Sequence, residues 1–233
     1  AVVDMTGVRF TEGLAYDFTA GTMMQPGQRL VVARERAAFL MRHPGAVEVL
    51  APGAFTNATA LNNGGEAVQL TGADGLPVKS FAYDDSFPWP VAADGHGPSL
   101  VLIAPSTNPD HTVATHWRSS AQSGGNPGGS DSIPFTGDPG GDTDSDGYSN
   151  LIEYALGPNP IITSAAGPEG ITFTVPVVTG ADDVLLTGEV STALTGWAPA
   201  DLIGTTTSNL TFRVPTSASG ENQVFFRAKV RLR

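Results

Sequence analysis

Cysteine is absent from the 233 residues, so neither disulfides nor thiolate metal sites can form. Long apolar runs are absent as well, and no stretch approaches the roughly 18–20 residues that a membrane-spanning helix needs. The chain does not start with a basic and then apolar segment, so we expect any export signal to have been removed or to lie upstream. Without disulfides, a secreted chain must depend on its apolar cores and on bound ions.

Positive charge is scarce, with 12 Lys and Arg against 23 Asp and Glu and a net charge of -11. Such a surface repels phosphate backbones, which disfavours nucleic-acid binding. Residues 119–160 contain no Lys or Arg at all. The same stretch contains six acidic residues: Asp131, Asp138, Asp142, Asp144, Asp146 and Glu153. This concentration of negative charge indicates a cation site.

The turn-forming residues are frequent, with 28 Gly and 18 Pro, and the apolar runs between them are short. This composition is typical of many short strands joined by tight turns, and it argues against a helical bundle. Alternating apolar and polar residues predict strands at 7–10, 14–18, 29–33, 66–70, 78–83 and 99–103, with one helix at 35–42. The Asp74-Gly75 pair predicts a hairpin between the fourth and fifth of these strands. Strands at this spacing favour a β-sandwich.

The predicted fold class is therefore all-β, with two β-sandwich domains. Four segments follow along the chain: a β-sandwich at 1–118, a Gly/Ser/Pro-rich linker at 119–141, a metal loop with a short helix at 142–157, and a second β-sandwich at 158–233. The last strand alternates apolar and basic residues. We interpret its basic face as a solvated face that also limits edge pairing, with a ligand-binding face as the alternative.

Residues 142–153 read Asp-Thr-Asp-Ser-Asp-Gly-Tyr-Ser-Asn-Leu-Ile-Glu, an ungapped match to the calcium-loop pattern D-x-D-x-D-G-x5-E. The spacing has a physical cause, because Ca²⁺ takes about six to eight oxygens at roughly 2.3–2.6 Å, more than one regular element supplies. The predicted ligands are Asp142, Asp144, Asp146, the Tyr148 carbonyl, Asn150 (directly or through water) and Glu153. Residues 149–156 are predicted to form a short helix that ends at Gly157-Pro158.

The residues before the loop, Thr-Gly-Asp-Pro-Gly-Gly at 136–141, cannot form an entering helix. The loop therefore resembles the lone calcium loops of dockerin-like and thrombospondin-type-3-like repeats rather than a paired calcium sensor. Asp138 is an additional candidate ligand.

Catalytic motifs are not evident. His111 and His116 are five residues apart and do not share a helix face, and no nucleophile elbow or phosphate-binding glycine loop occurs. The chain is therefore predicted not to be an enzyme. Trp89 and Trp117 leave a second interpretation open, a sugar-binding platform in an accessory module, although tryptophan more often anchors a core.

Residues 1–118 resemble the lamin-tail domain of secreted bacterial proteins. The resemblance rests on several pieces in order, among them 6–10 (TGVRF), 26–32 (PGQRLVV), 61–66 (LNNGGE), 81–85 (FAYDD) and 99–102 (SLVL). It implies an immunoglobulin-like sandwich without catalytic residues. Residues from 141 onward, with 189–197 (EVSTALTGW) and the final F-x-R-x-x-V-x-L pattern, resemble the C-terminal ends of large exported proteins of Verrucomicrobia and Planctomycetes.

The lamin-tail family normally begins with a further strand of E-[IL]-x-N type, and that strand does not precede Ala1–Gly7 here. We therefore expect either a processed piece of a longer precursor or another chain that fills the gap by strand addition. The combined expectation is a secreted or cell-surface structural module that self-associates or pairs with the upstream part of its precursor, with calcium stiffening the joint between its domains.

Overall fold

The structure, a computed structural model, describes residues 1–55, 59–215 and 223–233. Strands predominate over helices and lie in several antiparallel sheets, which confirms the all-β class. Among the described residues, no helix has both the length and the apolar character that crossing a membrane requires. The chain forms two compact units. Unit 1 comprises Ala1–Asp85, Asp110–His116 and Gly125–Ser130, and unit 2 comprises Ser86–Pro109, Trp117–Gly124 and Asp131–Arg233.

Unit 1 contains six strands and one helix in its described part. They are β1 (Val3–Asp4), β2 (Arg9–Glu12), β3 (Tyr16–Asp17), β4 (Met23–Met24), α1 (Arg36–Arg42), β5 (Glu66–Thr71) and β6 (Pro77–Tyr83). One sheet has the order β3-β2-β5-β6, and β1 pairs with β4. Its apolar core is built on four buried side chains: Met5, Tyr16, Phe18 and Ala51.

The β5–β6 hairpin confirms the turn that the sequence predicts, and Gly75 adopts a φ of 83° there. Only glycine reaches such a φ without steric cost, which explains the Asp-Gly pair. The predicted strand at 29–33 is wrong. Those residues contribute a single parallel bridge, Val31 to Leu50, because the segment opposite them is a 3₁₀ turn at Pro44–Val49 and not an extended strand.

Unit 2 holds nine strands and one helix in its described part. They are β7 (Pro98–Leu102), β8 (Trp117–Ser123), α2 (Asn150–Leu156), β9 (Thr163–Gly167), β10 (Gly170–Pro176), β11 (Val184–Ser191), β12 (Ala198–Pro199), β13 (Asp201–Thr205), β14 (Asn209–Arg213) and β15 (Phe225–Leu232). The sheet orders are β13-β14-β10-β9, β12-β11-β15 and β7-β8.

The core of unit 2 takes residues from its two larger sheets and from α2. The buried members are Ala155, Leu156, Val175, Val184 and Phe212. The ring of Phe173 on β10 stacks on that of Phe226 on β15, with centroids 4.4 Å apart. The apolar face predicted for the last strand therefore packs as expected for Phe226, Ala228 and Val230, whereas Leu232 is exposed.

Residues 119–123, the start of the segment predicted as a linker, lie in β8. Their serines are compatible with a strand because their polar groups find partners. Ser119 pairs with Leu100, and Ser120 is buried with its hydroxyl accepting from the Ser99 amide (2.8 Å) and donating to the Gln122 carbonyl (2.6 Å). Unit 2 thus combines residues from both sides of the predicted boundary at 118.

Candidate metal centre

Three aspartates of the predicted calcium loop lie together. Asp142, Asp144 and Asp146 each offer a carboxylate oxygen, and these oxygens lie within 4.8 Å of one another on the surface of unit 2. Two oxygens on opposite sides of one calcium ion are about 4.6–5.2 Å apart at ordinary bond lengths. The donor type and spacing therefore fit a single metal ion.

The backbone of the loop explains how three carboxylates converge. Ser145 and Gly147 both adopt positive φ values, 61° and 95°, which turn the chain sharply between acidic positions. The Gly147 amide donates to Asp142 Oδ2 at 3.0 Å, and the Tyr148 amide donates to Asp146 Oδ1 at 2.8 Å. These bonds hold the Asp142 and Asp146 carboxylates in place.

Glu153 lies near this group without being part of it. Shielding from water, together with the charges of Asp144, Asp146 and Asp142, raises the pKa of the Glu153 carboxyl. The four carboxylates therefore share one negative potential, and a cation bound among them would relieve their repulsion. Glu153 lies in the first turn of α2, where the helix dipole favours a carboxylate.

Asn150 holds the loop closed in this structure. Its Oδ1 accepts hydrogen bonds from the amide (3.2 Å) and hydroxyl (2.7 Å) of Thr143, and its Nδ2 donates to the Asp138 carbonyl at 3.0 Å. The Asn150 amide also donates to the Gly141 carbonyl at 2.7 Å. Its role as a ligand, like that of the Tyr148 carbonyl, stays a prediction.

The helix after the loop begins at Asn150 and ends at Leu156, which confirms the predicted helix and its stop at Gly157. Gly157 has a φ of 86°. Ala155 and Leu156 are buried in the core of unit 2, and the Ala155 carbonyl accepts a hydrogen bond from the Val178 amide at 2.9 Å. The metal loop is therefore anchored on its C-terminal side to the packed strands.

A second anchor is the segment 131–135, here named the strap, which contacts α2 at Tyr154. The Tyr154 hydroxyl donates to the Ile133 carbonyl at 2.5 Å, and the Phe135 ring meets the Tyr154 ring edge-on at 5.2 Å. The Ile133 amide donates to the Gly180 carbonyl at 2.7 Å. The Phe135 amide donates to Asp183 Oδ2 at 2.7 Å. The strap is thus tied both to α2 and to the loop before β11.

An ion triad continues from the strap to β8. Arg118 makes two hydrogen bonds with each of Asp131 (2.8 and 3.1 Å) and Asp182 (2.6 and 2.8 Å), and all three side chains are largely buried. Burial would lower the pKa of Arg118, but its hydrogen bonds with Asp182 and Asp131 outweigh that effect and raise it. The hydrogen bonds from Arg118 hold the pKa of Asp131 below its usual range, despite partial burial.

An open cavity of about 640 Å³ lies between the strap, the start of the loop and α2. Phe135 and Tyr154 form its aromatic wall, and Asp138, Asp142 and Glu153 supply its acidic side. Three predicted calcium ligands, Asp142, Asn150 and Glu153, line the cavity, which therefore belongs to the same site.

The other candidates from the sequence have structural partners. Trp89 is buried, and its ring lies 5.9 Å from that of Trp117, so it anchors the packing around β8 rather than an open platform. His111 contacts the Phe81 ring at 5.3 Å. On the basic face of β15, Arg227 and Lys229 both bind Glu189, and Arg227 lies 4.2 Å over the Trp197 ring.

The sequence does not predict the ion triad that Arg118 forms with two aspartates. Arg118, Asp131 and Asp182 are separated by 13 and 51 residues along the chain, and no local spacing links them. The one sequence feature that could have indicated the triad is Asp131, an acidic residue of the stretch 119–160 that lies outside the loop motif. Comparison of the chain with protein-family models, curated proteins and solved structures found no match to any of them.

Proposed function

We propose that this chain is a secreted, non-catalytic structural module in which calcium, bound at residues 142–153, stiffens the connection between β8 and the C-terminal strands. The observation that carries the proposal is the convergence of Asp142, Asp144 and Asp146 within one calcium-sized group. The ungapped loop pattern, with Glu153 electrostatically coupled to the three aspartates, supports the same ion.

The path from the ion to the strands consists of direct contacts within unit 2. Calcium would hold Glu153, whose neighbour Tyr154 binds the strap through its hydroxyl and ring. The strap carries Asp131, which pairs with Arg118 on β8. A bound ion would therefore stabilise the hydrogen bonds and the ion pair that connect α2, the strap and β8.

The proposed architecture is two immunoglobulin-like sandwiches. Its support in residues 163–232 is the stacking of Phe173 and Phe226 across two antiparallel sheets over a shared core. For the N-terminal part, the support is a separate apolar core around Tyr16 and Phe18, together with the lamin-tail resemblance. The resemblance to secreted bacterial proteins supports the extracellular setting, where calcium is abundant enough to fill a site of moderate affinity.

Calorimetric titration of the full chain with CaCl₂ tests the proposal. We expect one site, and a thermal unfolding transition that rises with calcium, because a ligand bound only to the folded state adds RT ln(1 + [L]/Kd), about 2.7 kcal/mol at 100-fold over Kd. Asp144→Ala should abolish the heat of binding. The matched control is Asp201→Asn, which removes the same charge from an exposed residue at the start of β13, outside the three-aspartate group. The assignment would be contradicted if the wild type released or absorbed no heat on calcium addition. It would also be contradicted if both variants lost the heat of binding equally.

A further inference from the structure

Strand β9 is the outermost strand of the β13-β14-β10-β9 sheet, and among the described residues it pairs only with β10. All five of its residues are exposed, so both faces of the strand meet solvent. In an antiparallel ladder, every second residue of an edge strand turns its amide and carbonyl away from the sheet. Along β9 these groups form an open row of donors and acceptors.

Several other edge strands in the described part of the chain carry features that hinder pairing with a further strand. β13, at the opposite edge of the same sheet, has a register shift between Leu202 and Gly204. β15 presents Arg227, Lys229 and Arg231, and β6 begins with Pro77 and carries Lys79. Bulges, proline and charged side chains are the usual protections of sheet edges.

Within Thr163–Gly167, β9 has none of these protections, and the flanking Pro160 and Pro168 confine ladder pairing to this strand. The chain from Asn159 to Pro168 is uncharged, and the strand itself is Thr-Ser-Ala-Ala-Gly, whose small side chains let another backbone approach from the edge. Next to it, Ile161 is 76% exposed and Ile162 is exposed as well, so apolar surface lies beside the open ladder.

We propose that β9 pairs antiparallel with β9 of a second copy of this chain, about a twofold axis at Ala165, which joins two four-stranded sheets into one. In this register Thr163 lies opposite Gly167 and Ser164 opposite Ala166 of the second copy. One step further, Ile162 comes opposite Pro168, which covers part of the exposed apolar surface. The interface uses the same residues on both copies, so the assembly is complete as a dimer.

The charge pattern favours a second copy over an unrelated peptide. The chain carries a net charge of -11, so two copies repel over most of their surface and meet most easily where no charge is present. Residues 159–168 carry no charge, so they do not attract a charged peptide. When this segment pairs with the same segment of a second copy, no like charges lie opposite each other. This inference does not depend on calcium binding.

Sedimentation equilibrium of the full chain tests the proposal. A five-residue strand pair is smaller than a standard interface, so we expect a weak dimer that forms over roughly 10 µM to 1 mM. Ala165→Lys should weaken dimerisation at least about tenfold, because two ammonium groups then lie opposite each other. The matched control is Thr192→Lys, which adds the same charge at an exposed residue after β11. An equimolar mixture of Ala165→Lys and Ala165→Glu chains should restore a heterodimer.

Restoration by opposite charges identifies a second copy as the occupant, since a merely unfolded variant cannot be rescued in this way. A wild type that stays at 24.0 kDa throughout the range would overturn the proposal. So would a dimer that Ala165→Lys and Thr192→Lys affect equally. The dimer should persist in EGTA, so failure of the calcium site and failure of this interface are distinguishable.

Discussion

Arg118 and Asp182, 64 residues apart, form a paired hydrogen bond in which Nε contacts Oδ1 at 2.6 Å and Nη2 contacts Oδ2 at 2.8 Å. The side-chain exposures are 14% and 6%, so this ion pair is shielded from water and salt. It fixes β8 to the loop before β11. The guanidinium also holds Asp131 of the strap, so one side chain joins three separate segments of unit 2.

Removing the guanidinium should be costly. Arg118→Ala leaves Asp131 and Asp182 buried without a counter-charge, and we expect a loss of about 3–5 kcal/mol in the free energy of unfolding. Denaturant titration followed by circular dichroism measures the loss. Arg213→Ala is the control, because Arg213 pairs with the 82% exposed Glu169 and exposed pairs contribute about 1 kcal/mol or less. Similar losses in both variants would show that the triad is not a structural link.

The triad also predicts a dependence of stability on acid. The pKa of Asp131 is lowered in the folded state, so its contribution is fully present above the unfolded value, about 3.9, and is lost as pH falls through the folded value. Unfolding free energies measured from about pH 6 down to pH 3 should therefore decrease in the wild type.

Asp131→Asn should reduce this acid dependence while lowering stability at neutral pH, because the amide keeps the shape and loses the charge. Asp138→Asn removes an acidic group at an exposed position and serves as the control. An unchanged slope of stability against pH in Asp131→Asn would exclude the ion pair as its source.

Tyr154 is the link between the metal loop and the strap. Its hydroxyl donates to the Ile133 carbonyl and accepts from the Asp183 amide at 3.3 Å, while partial burial raises its pKa. Tyr154→Phe keeps the ring contact with Phe135 and removes both hydrogen bonds, so we expect a loss of about 1–3 kcal/mol. Calcium affinity should fall as well, since Glu153 precedes this residue on the same helix.

Calorimetry and thermal unfolding of Tyr154→Phe measure both effects. Tyr148→Phe is the matched control: Tyr148 is partly exposed, its predicted contribution is a backbone carbonyl, and removing the hydroxyl should leave binding and stability near wild type. If Tyr154→Phe loses stability and retains full calcium affinity, the strap and the metal loop are independent.

The convergence of the three aspartates, α2 and the β5–β6 hairpin were predictable from the sequence because their geometry depends on neighbours within a few residues. Carboxylates at alternate positions around Gly147 converge through local turns, and Gly157 ends α2 at a positive φ that glycine adopts without steric cost. The alternating pattern of the last strand likewise indicates which face packs, since side-chain direction follows directly from strand geometry.

Only the tertiary structure decided the rest. The Arg118–Asp131–Asp182 triad joins residues that no periodicity connects, and β8 extends through serines whose composition predicts a linker. Gly188 is a similar case: a Cβ there would lie 2.7 Å from the Phe212 ring and 2.9 Å from that of Phe226, a constraint imposed by two distant strands. Local sequence fixes the conformation of short segments, whereas buried charges and close packing acquire their partners only when distant segments meet and exclude water.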